Sequence, residues 1–238
     1  MTTSSRYKNT IAAVAVASMS LLSTNASAAL LDAFANGGFE GYTGNTNSFN
    51  SATPPGWTTT AGTPDVFNAS TTFSGFAWKS SSTGGDFLHG IGWDGRSSPY
   101  VESALQVGLT GLDIGKQYEI SFEQSISNSV FSEAGGYWEV IFGTESHNSD
   151  DMLLPASGVA VDWTWQTMIF TATSEIQTLE VVAHSTLGPR ADIGIDSFFL
   201  GDTGTNPNNP PSDVPLPSTL ALVGLGLLLA GRRRRKAQ

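Results

Sequence analysis

Residues 117–123 read Gln117-Tyr118-Glu119-Ile120-Ser121-Phe122-Glu123, with an apolar side chain at every second position. Successive side chains of an extended strand point to opposite faces, so this run builds one dry face and one wet face. The pattern recurs along the chain. Trp138, Val140 and Phe142 alternate with Tyr137, Glu139 and Ile141, and Leu179, Val181 and Ala183 alternate with Thr178, Glu180 and Val182. Val101, Ser103, Leu105 and Val107 share one face of another strand. Further runs lie at 56–60, 87–93, 163–172 and 193–200. Turn signals separate them: Gly44-Asn45, Pro54-Pro55-Gly56, Gly84-Gly85, Asp94-Gly95, Asp113-Ile114-Gly115 and Gly135-Gly136. Between Leu30 and Leu200 no segment keeps a 3.6-residue apolar period over ten residues. Short strands punctuated by Gly, Asn and Asp predict one all-β domain over residues 30–200, a sandwich or barrel.

Composition narrows what that domain can do. The 238 residues contain no Cys, which excludes disulfides, thiolate metal sites and a Cys nucleophile. Eleven basic residues face 21 acidic ones. The basic residues cluster at the two ends, leaving Lys79, Arg96, Lys116 and Arg190 between them, where all the acidic residues lie. Such a body repels phosphate and offers no basic stripe for counterion release, which excludes nucleic-acid binding.

Both ends read as addresses. Arg6 and Lys8 precede an apolar run from Ile11 to Leu22, and Ala26-Ser27-Ala28 follows as a small-residue cleavage site. This predicts a secretory signal peptide over residues 1–28, cut by signal peptidase after Ala28 or Ala29. The apolar run is too short for a membrane span of ~20 residues. Gly201 to Asp213 is a linker that carries three prolines and no large apolar residue, so it is expected to be extended and solvated.

The C-terminal stretch reads V-P-L-P-S-T-L-A-L-V-G-L-G-L-L-L-A-G-R-R-R-R-K-A-Q over residues 214–238. As a helix, Val214 to Gly231 would reach roughly 27 Å at ~1.5 Å per residue, enough to cross a thin bilayer. The basic cluster Arg232, Arg233, Arg234, Arg235 and Lys236 would hold this end in the cytoplasm by the positive-inside rule. The layout resembles the PEP-CTERM sorting signal of Gram-negative bacteria. Val214, Pro215, Pro217, Ser218 and Thr219 fit its V-P-E-P-S-T pattern, and Leu216 stands where the pattern has Glu. The resemblance implies export, transient residence in the inner membrane, cleavage by an exosortase, and delivery to the cell surface or exopolysaccharide matrix. A permanent C-terminal anchor is the alternative that hydropathy alone leaves open.

The body has its own resemblance. Asn36-Gly37-Gly38-Phe39-Glu40 opens it, and Pro55-Gly56-Trp57 follows. Then come Leu109-Thr110-Gly111-Leu112-Asp113-Ile114-Gly115-Lys116-Gln117-Tyr118, Phe170-Thr171-Ala172-Thr173 and Ile193-Gly194-Ile195-Asp196. In this order they resemble the galactose-binding-like jelly roll of carbohydrate-binding modules. The L-x-x-G-K-x-Y segment is expected to turn through Asp113–Gly115 and bury Tyr118, with Trp57 in the core.

The resemblance implies a structural Ca²⁺ held by Glu40 and Asp196 with backbone carbonyls near Asn36, a hard-cation set suited to an acidic chain without disulfides. The same carboxylates also read as a turn cap and a strand residue satisfying backbone donors. For a polysaccharide ligand, aromatic faces beside polar groups are the matching chemistry. Trp93, Asp94 and Arg96 fall in one turn, and Trp163 and Trp165, two apart on one strand, share a face. At least three of the six Trp are expected in the core. Catalysis finds no support: His89, His147 and His184 are scattered, with no H-E-x-x-H or G-x-S-x-G spacing. The sequence therefore predicts an exported, non-enzymatic, carbohydrate-binding jelly roll. A structural or adhesive matrix protein without a defined sugar site is the rival reading, and a secreted glycan hydrolase comes third.

Overall fold

A computed structural model describes residues 34–186 and 188–205. The expected signal peptide, most of the linker and the sorting segment with its Arg run lie outside the described residues. Eleven strands are described: β1 (Thr58–Ala61), β2 (Asp65–Asn68), β3 (Asp86–Trp93), β4 (Tyr100–Val101), β5 (Ser103–Thr110), β6 (Gln117–Ser127), β7 (Gly136–Phe142), β8 (Glu145–Asn148), β9 (Thr164–Thr171), β10 (Ile176–Ser185) and β11 (Ala191–Asp202). The runs at 117–123, 137–142 and 178–183 are among them. The expected face of Val101, Ser103, Leu105 and Val107 is not: it divides between β4 and β5, Val107 is exposed, and Ala104 and Leu109 enter the core. A single 3₁₀ turn, Phe73–Gly75, is the helical element of the described residues, none of which forms a helix long and apolar enough to cross a membrane.

The strands form a jelly-roll sandwich. One sheet runs β1-β5-β10-β7-β8, and the other runs β2-β3-β11-β6-β9 with β4 added beside β3. All pairings are antiparallel. Between the sheets lie the dry faces that the alternation predicts: Tyr118, Ile120 and Phe122 of β6 meet Trp138, Val140 and Phe142 of β7 and Leu179, Val181 and Ala183 of β10 in one core. Burying each such side chain stabilises the fold by about 1.5–3 kcal/mol. The Asp113–Gly115 turn closes as expected, with the Asp113 amide donating to the Tyr118 hydroxyl at 2.8 Å and Tyr118 buried. Trp57, Trp78 and Trp138 are buried, whereas Trp93, Trp163 and Trp165 are half-buried.

The outer face of the six-stranded sheet departs from a simple wet surface. Asp65, His89, Glu123, Ser125, Ser127, Asp192 and Asp196 are all buried there. Residues 73–84 cross this face as a strap. Ala77 N–H donates to Ser127 Oγ at 2.9 Å, and Ser82 N–H donates to Glu123 at 2.8 Å. A second aromatic cluster of Phe67, Phe76, Trp78 and Phe87, with Phe73 and Trp163 against it, fills the space beneath the strap. A bulge between Asp196 and Phe199, with Ser197 at φ 59°, makes this two-sidedness work. It leaves Asp196 on the outer face and sends Phe198 inward to stack on Phe122 at 5.2 Å.

Candidate functional site

Strand β3 has β2 along its first half, at residues 86–89, and β4 along its end, at residues 92–93. Between them the edge is open at Gly90 and Ile91. The carboxylate of Glu102, just after β4, fills that gap by accepting the Ile91 N–H at 2.9 Å, while the Glu102 N–H donates to the Ile91 carbonyl at 3.0 Å. Beside this point the surface opens into a cleft of about 370 Å³. Phe49, Thr63, Asp65, Ile91, Trp93, Arg96, Tyr100, Glu102 and Arg190 line it.

The cleft wall is aromatic and cationic. The Arg96 guanidinium lies 4.5 Å from the centre of the Trp93 ring, and Arg190 lies 5.6 Å from Phe49 and 5.0 Å from Phe131. Its floor is acidic. Tyr100 and Thr63 hydroxyls donate to Glu102 Oε1 at 2.8 and 3.3 Å. Asp65 Oδ1 accepts the amides of Asn50 and Ser51 at 2.6 and 2.9 Å, which draws the 49–51 segment over the cleft.

Beneath the floor lies a buried chain of charged side chains. His89, fully buried and stacked on Phe67 at 4.3 Å, bonds through Nε2 to Asp192 Oδ1 at 3.2 Å. Its Nδ1 stands 3.4 Å from Asp65 Oδ2, an ion-pair distance at the long end for a hydrogen bond. Arg190 holds Asp192 by Nη2 at 2.6 Å and Nε at 3.2 Å, and Ser129 and Ser132 donate to its other oxygen. Burial alone would push the His89 imidazole down, yet the Asp192 and Asp65 carboxylates lift it to about 9. Burial works against the Asp192 carboxylate too, and His89 and Arg190 overcome it, holding Asp192 at about 2. For Glu102 burial wins over the nearby imidazolium, and its carboxyl rises to about 7.

Of the residues singled out in the sequence, Trp93 and Arg96 face this cleft together. Asp94 turns the other way: its oxygens bond His184 Nδ1 at 3.0 Å and the Ser185 amide at 2.6 Å, tying the end of β3 to β10. Trp163 and Trp165 share the outer face away from the cleft. The Trp163 ring packs edge-on to Phe87 at 5.0 Å, and its Nε1 donates to the Lys79 carbonyl at 2.7 Å. Asn36 clamps its own turn by accepting the Glu40 N–H at 2.9 Å and donating to the Glu40 carbonyl at 2.7 Å. Burial and the Asp86 charge raise the Glu40 carboxyl above its ordinary value. Asp196 accepts the Ser197 amide at 2.7 Å, the Thr83 hydroxyl at 3.2 Å and the Ser81 hydroxyl. Burial, with the Glu123 charge adding to it, pushes Asp196 up to about 8 against those bonds. Asp196 is thus held by hydroxyls and one amide, while Glu40 stands beside Asp86.

Asp65, His89, Tyr100, Glu102, Arg190 and Phe49 are absent from the residues the sequence reading selected. Their signal was present but faint: His89 and Asp192 each interrupt an apolar strand run, where an unpartnered charge would be costly, whereas Asp65 opens a strand and Glu102 lies between two.

The described residues thus define an all-β jelly-roll sandwich with one acidic, aromatic-walled cleft. Residues 213–236 match the PEP-CTERM protein-sorting motif, so the chain carries that sorting signal. Solved structures similar to the sandwich include the CBM22-1–GH10 modules of Clostridium thermocellum endo-1,4-β-D-xylanase 10B complexed with xylohexaose, at 15% identity and TM-score 0.39, covering 68% of this chain and 27% of that one. TmCBM61 in complex with β-1,4-galactotriose is similar at 16% identity and TM-score 0.37, covering 70% and 94%. The K2 cleaved adhesin domain of Lys-gingipain is similar at 13% identity and TM-score 0.41, covering 70% and 96%. The chain spans about a quarter of the length of the first of these. No curated protein sequence matches it.

Proposed function

We propose that this is an exported protein, sorted through its PEP-CTERM segment to the cell surface or exopolysaccharide matrix, whose sandwich binds polysaccharide in the Trp93 cleft. The observation that carries the reading is the cleft's lining. Trp93, Phe49 and Tyr100 offer ring faces for sugar C–H surfaces, and Asp65, Glu102, Arg96 and Arg190 offer planar charged partners for hydroxyls. Glycan-array binding by the full chain tests it. Trp93→Ala should lower affinity about tenfold or more, as loss of an aromatic anchor does. Binding that survives Trp93→Ala unchanged sinks the cleft as the site.

The strap supports the rival reading, a matrix protein without a defined sugar site, because residues 73–84 cover the sheet face that would otherwise lie open. Binding to no glycan, with retained matrix association, would favour it. For sorting, the reading requires signal peptidase at the first end and an exosortase at the other. Intact mass of protein from the native host should end near Pro217. Chains that all retain Arg232–Arg235 in the inner membrane would make the segment a permanent anchor.

A further inference from the structure

We infer that Asp65, His89 and Glu102 form a binding site for a divalent transition-metal ion of the Zn²⁺ type, open toward the cleft. One ligand atom from each of the three lies within 4.8 Å of the other two, and all three residues are buried. They arrive from separate parts of the fold. Asp65 begins β2, His89 lies within β3, and Glu102 follows β4, so the gap in the β3 edge is where they converge.

The second, independent observation is the imidazole itself. His89 is fully buried, and its Nδ1 stands 3.4 Å from the Asp65 carboxylate without completing a hydrogen bond. A buried polar atom left in this way costs free energy that a ligand would recover. The other ring nitrogen is already committed. Nε2 bonds Asp192 at 3.2 Å, and Asp192 is in turn fixed by Arg190 and two serine hydroxyls. That is the carboxylate–histidine arrangement that orients a metal ligand: Nε2 keeps its hydrogen, and Nδ1 would present its lone pair to an ion that displaces its proton.

The carboxylates are held as firmly. Asp65 Oδ1 takes two backbone amides, leaving Oδ2 turned toward His89. Glu102 is positioned by the Ile91 amide on Oε2 and by the Tyr100 and Thr63 hydroxyls on Oε1, so Oε2 retains a lone pair beyond those bonds. One imidazole nitrogen with two carboxylates suits Zn²⁺ and its neighbours, whereas Ca²⁺ takes six to eight oxygens. Three protein ligands leave a coordination position free. Asp65 and Glu102 line the cleft, which provides both the entry path and room for water at that position. On binding, the ion takes the place of the Nδ1 proton, which passes to solvent. The inference does not depend on the carbohydrate reading, since the ion needs no sugar to be held.

Isothermal titration of ZnCl₂ into the untagged full-length chain in detergent, without glycan, tests the site. One Zn²⁺ should bind per chain. Glu102→Gln and Asp65→Asn keep the side-chain shape and most of the bonds, and each should weaken binding more than about tenfold. His184→Gln alters the other histidine that sits between two acidic side chains and should leave binding unchanged. Circular dichroism checks that each variant folds. No binding of Zn²⁺ by the parent chain at 100 times the protein concentration (of order millimolar) overturns the inference. So does binding that is equal in Glu102→Gln and Asp65→Asn, or binding abolished by His184→Gln.

Discussion

Asp192 and Asp196 lie four residues apart on β11, on the same outer face, and both are fully buried. Their carboxyls are nevertheless driven in opposite directions, Asp192 to about 2 and Asp196 to about 8. Burial opposes ionisation at both. What differs is the company supplied by other strands. Asp192 meets the His89 imidazole and the Arg190 guanidinium, so its charge is matched within hydrogen-bonding distance. Asp196 pairs across the sheet with Glu123 and is answered by hydroxyls and one amide. The lesson is that an acidic residue in a strand says little about its own ionisation, which its cross-strand and strap neighbours decide.

The comparison can be broken most forcefully at Arg190. Arg190→Ala leaves Asp192 with one cation of two, and removing a partner from a buried pair costs about 3–5 kcal/mol. Urea denaturation should show a loss of that size. A change below ~1 kcal/mol would mean that the two ends of the face are not electrostatically distinct.

The Asp196 end is sharpened by calcium, which we propose binds there with Glu40. Millimolar Ca²⁺ should raise the thermal midpoint, by ~2.7 kcal/mol of linkage at a hundred times the dissociation constant. The shift should vanish in Asp196→Asn and in Glu40→Gln, and identical midpoints in calcium and in chelator would remove the ion. In chelator the pH dependence has a definite sign. A folded-state pKa of about 8 lies above the unfolded value of 3.8, so the Asp196 contribution is full below 3.8 and is lost as pH rises toward 8. Asp196→Asn should therefore gain on the parent across that window.

Gly194 separates the two acidic ends. A Cβ there would lie 3.0 Å from Trp163 and 3.2 Å from Phe87, so Gly194→Ala should cost about 1–3 kcal/mol by overpacking. Equal stability would show that the aromatic spacer between the ends yields freely. The smallest effect is expected at Asp94, lowered because His184 and Ser185 outweigh its burial. Asp94→Asn should cost less than ~1 kcal/mol at neutral pH, and the difference should fade as acid protonates the parent carboxyl below 3.8. Glycan binding should be unaffected, since Asp94 faces β10 and not the cleft.

Much of the framework was readable in advance. Alternation marked β6, β7 and β10, because an apolar face repeats every two residues and needs no distant information. On β5 it chose the face that Val107 turns to solvent, while Ala104 and Leu109 fill the core. Four-residue β2 and β8 were not read, being too short to show a period. At the site, Trp93 and Arg96 were found because they are neighbours in one turn. Asp65, Glu102 and Arg190 were not, because they are 37 and 88 residues apart along the chain and meet only through the order of strands. The platform expected of Trp163 is used for packing under the strap, a crossing that local pattern does not reveal.

By itself, the sequence determined the all-β class, the acidic body, the dry faces between the sheets and the PEP-CTERM segment, all features of local order along the chain. Only the tertiary structure decided which charges are matched. His89 and Asp192 are 103 residues apart, and strand pairing brings them within 3.2 Å. Side-chain period assigns each residue a face, but electrostatic energy depends on distance between groups, and distance is settled by which strands lie side by side.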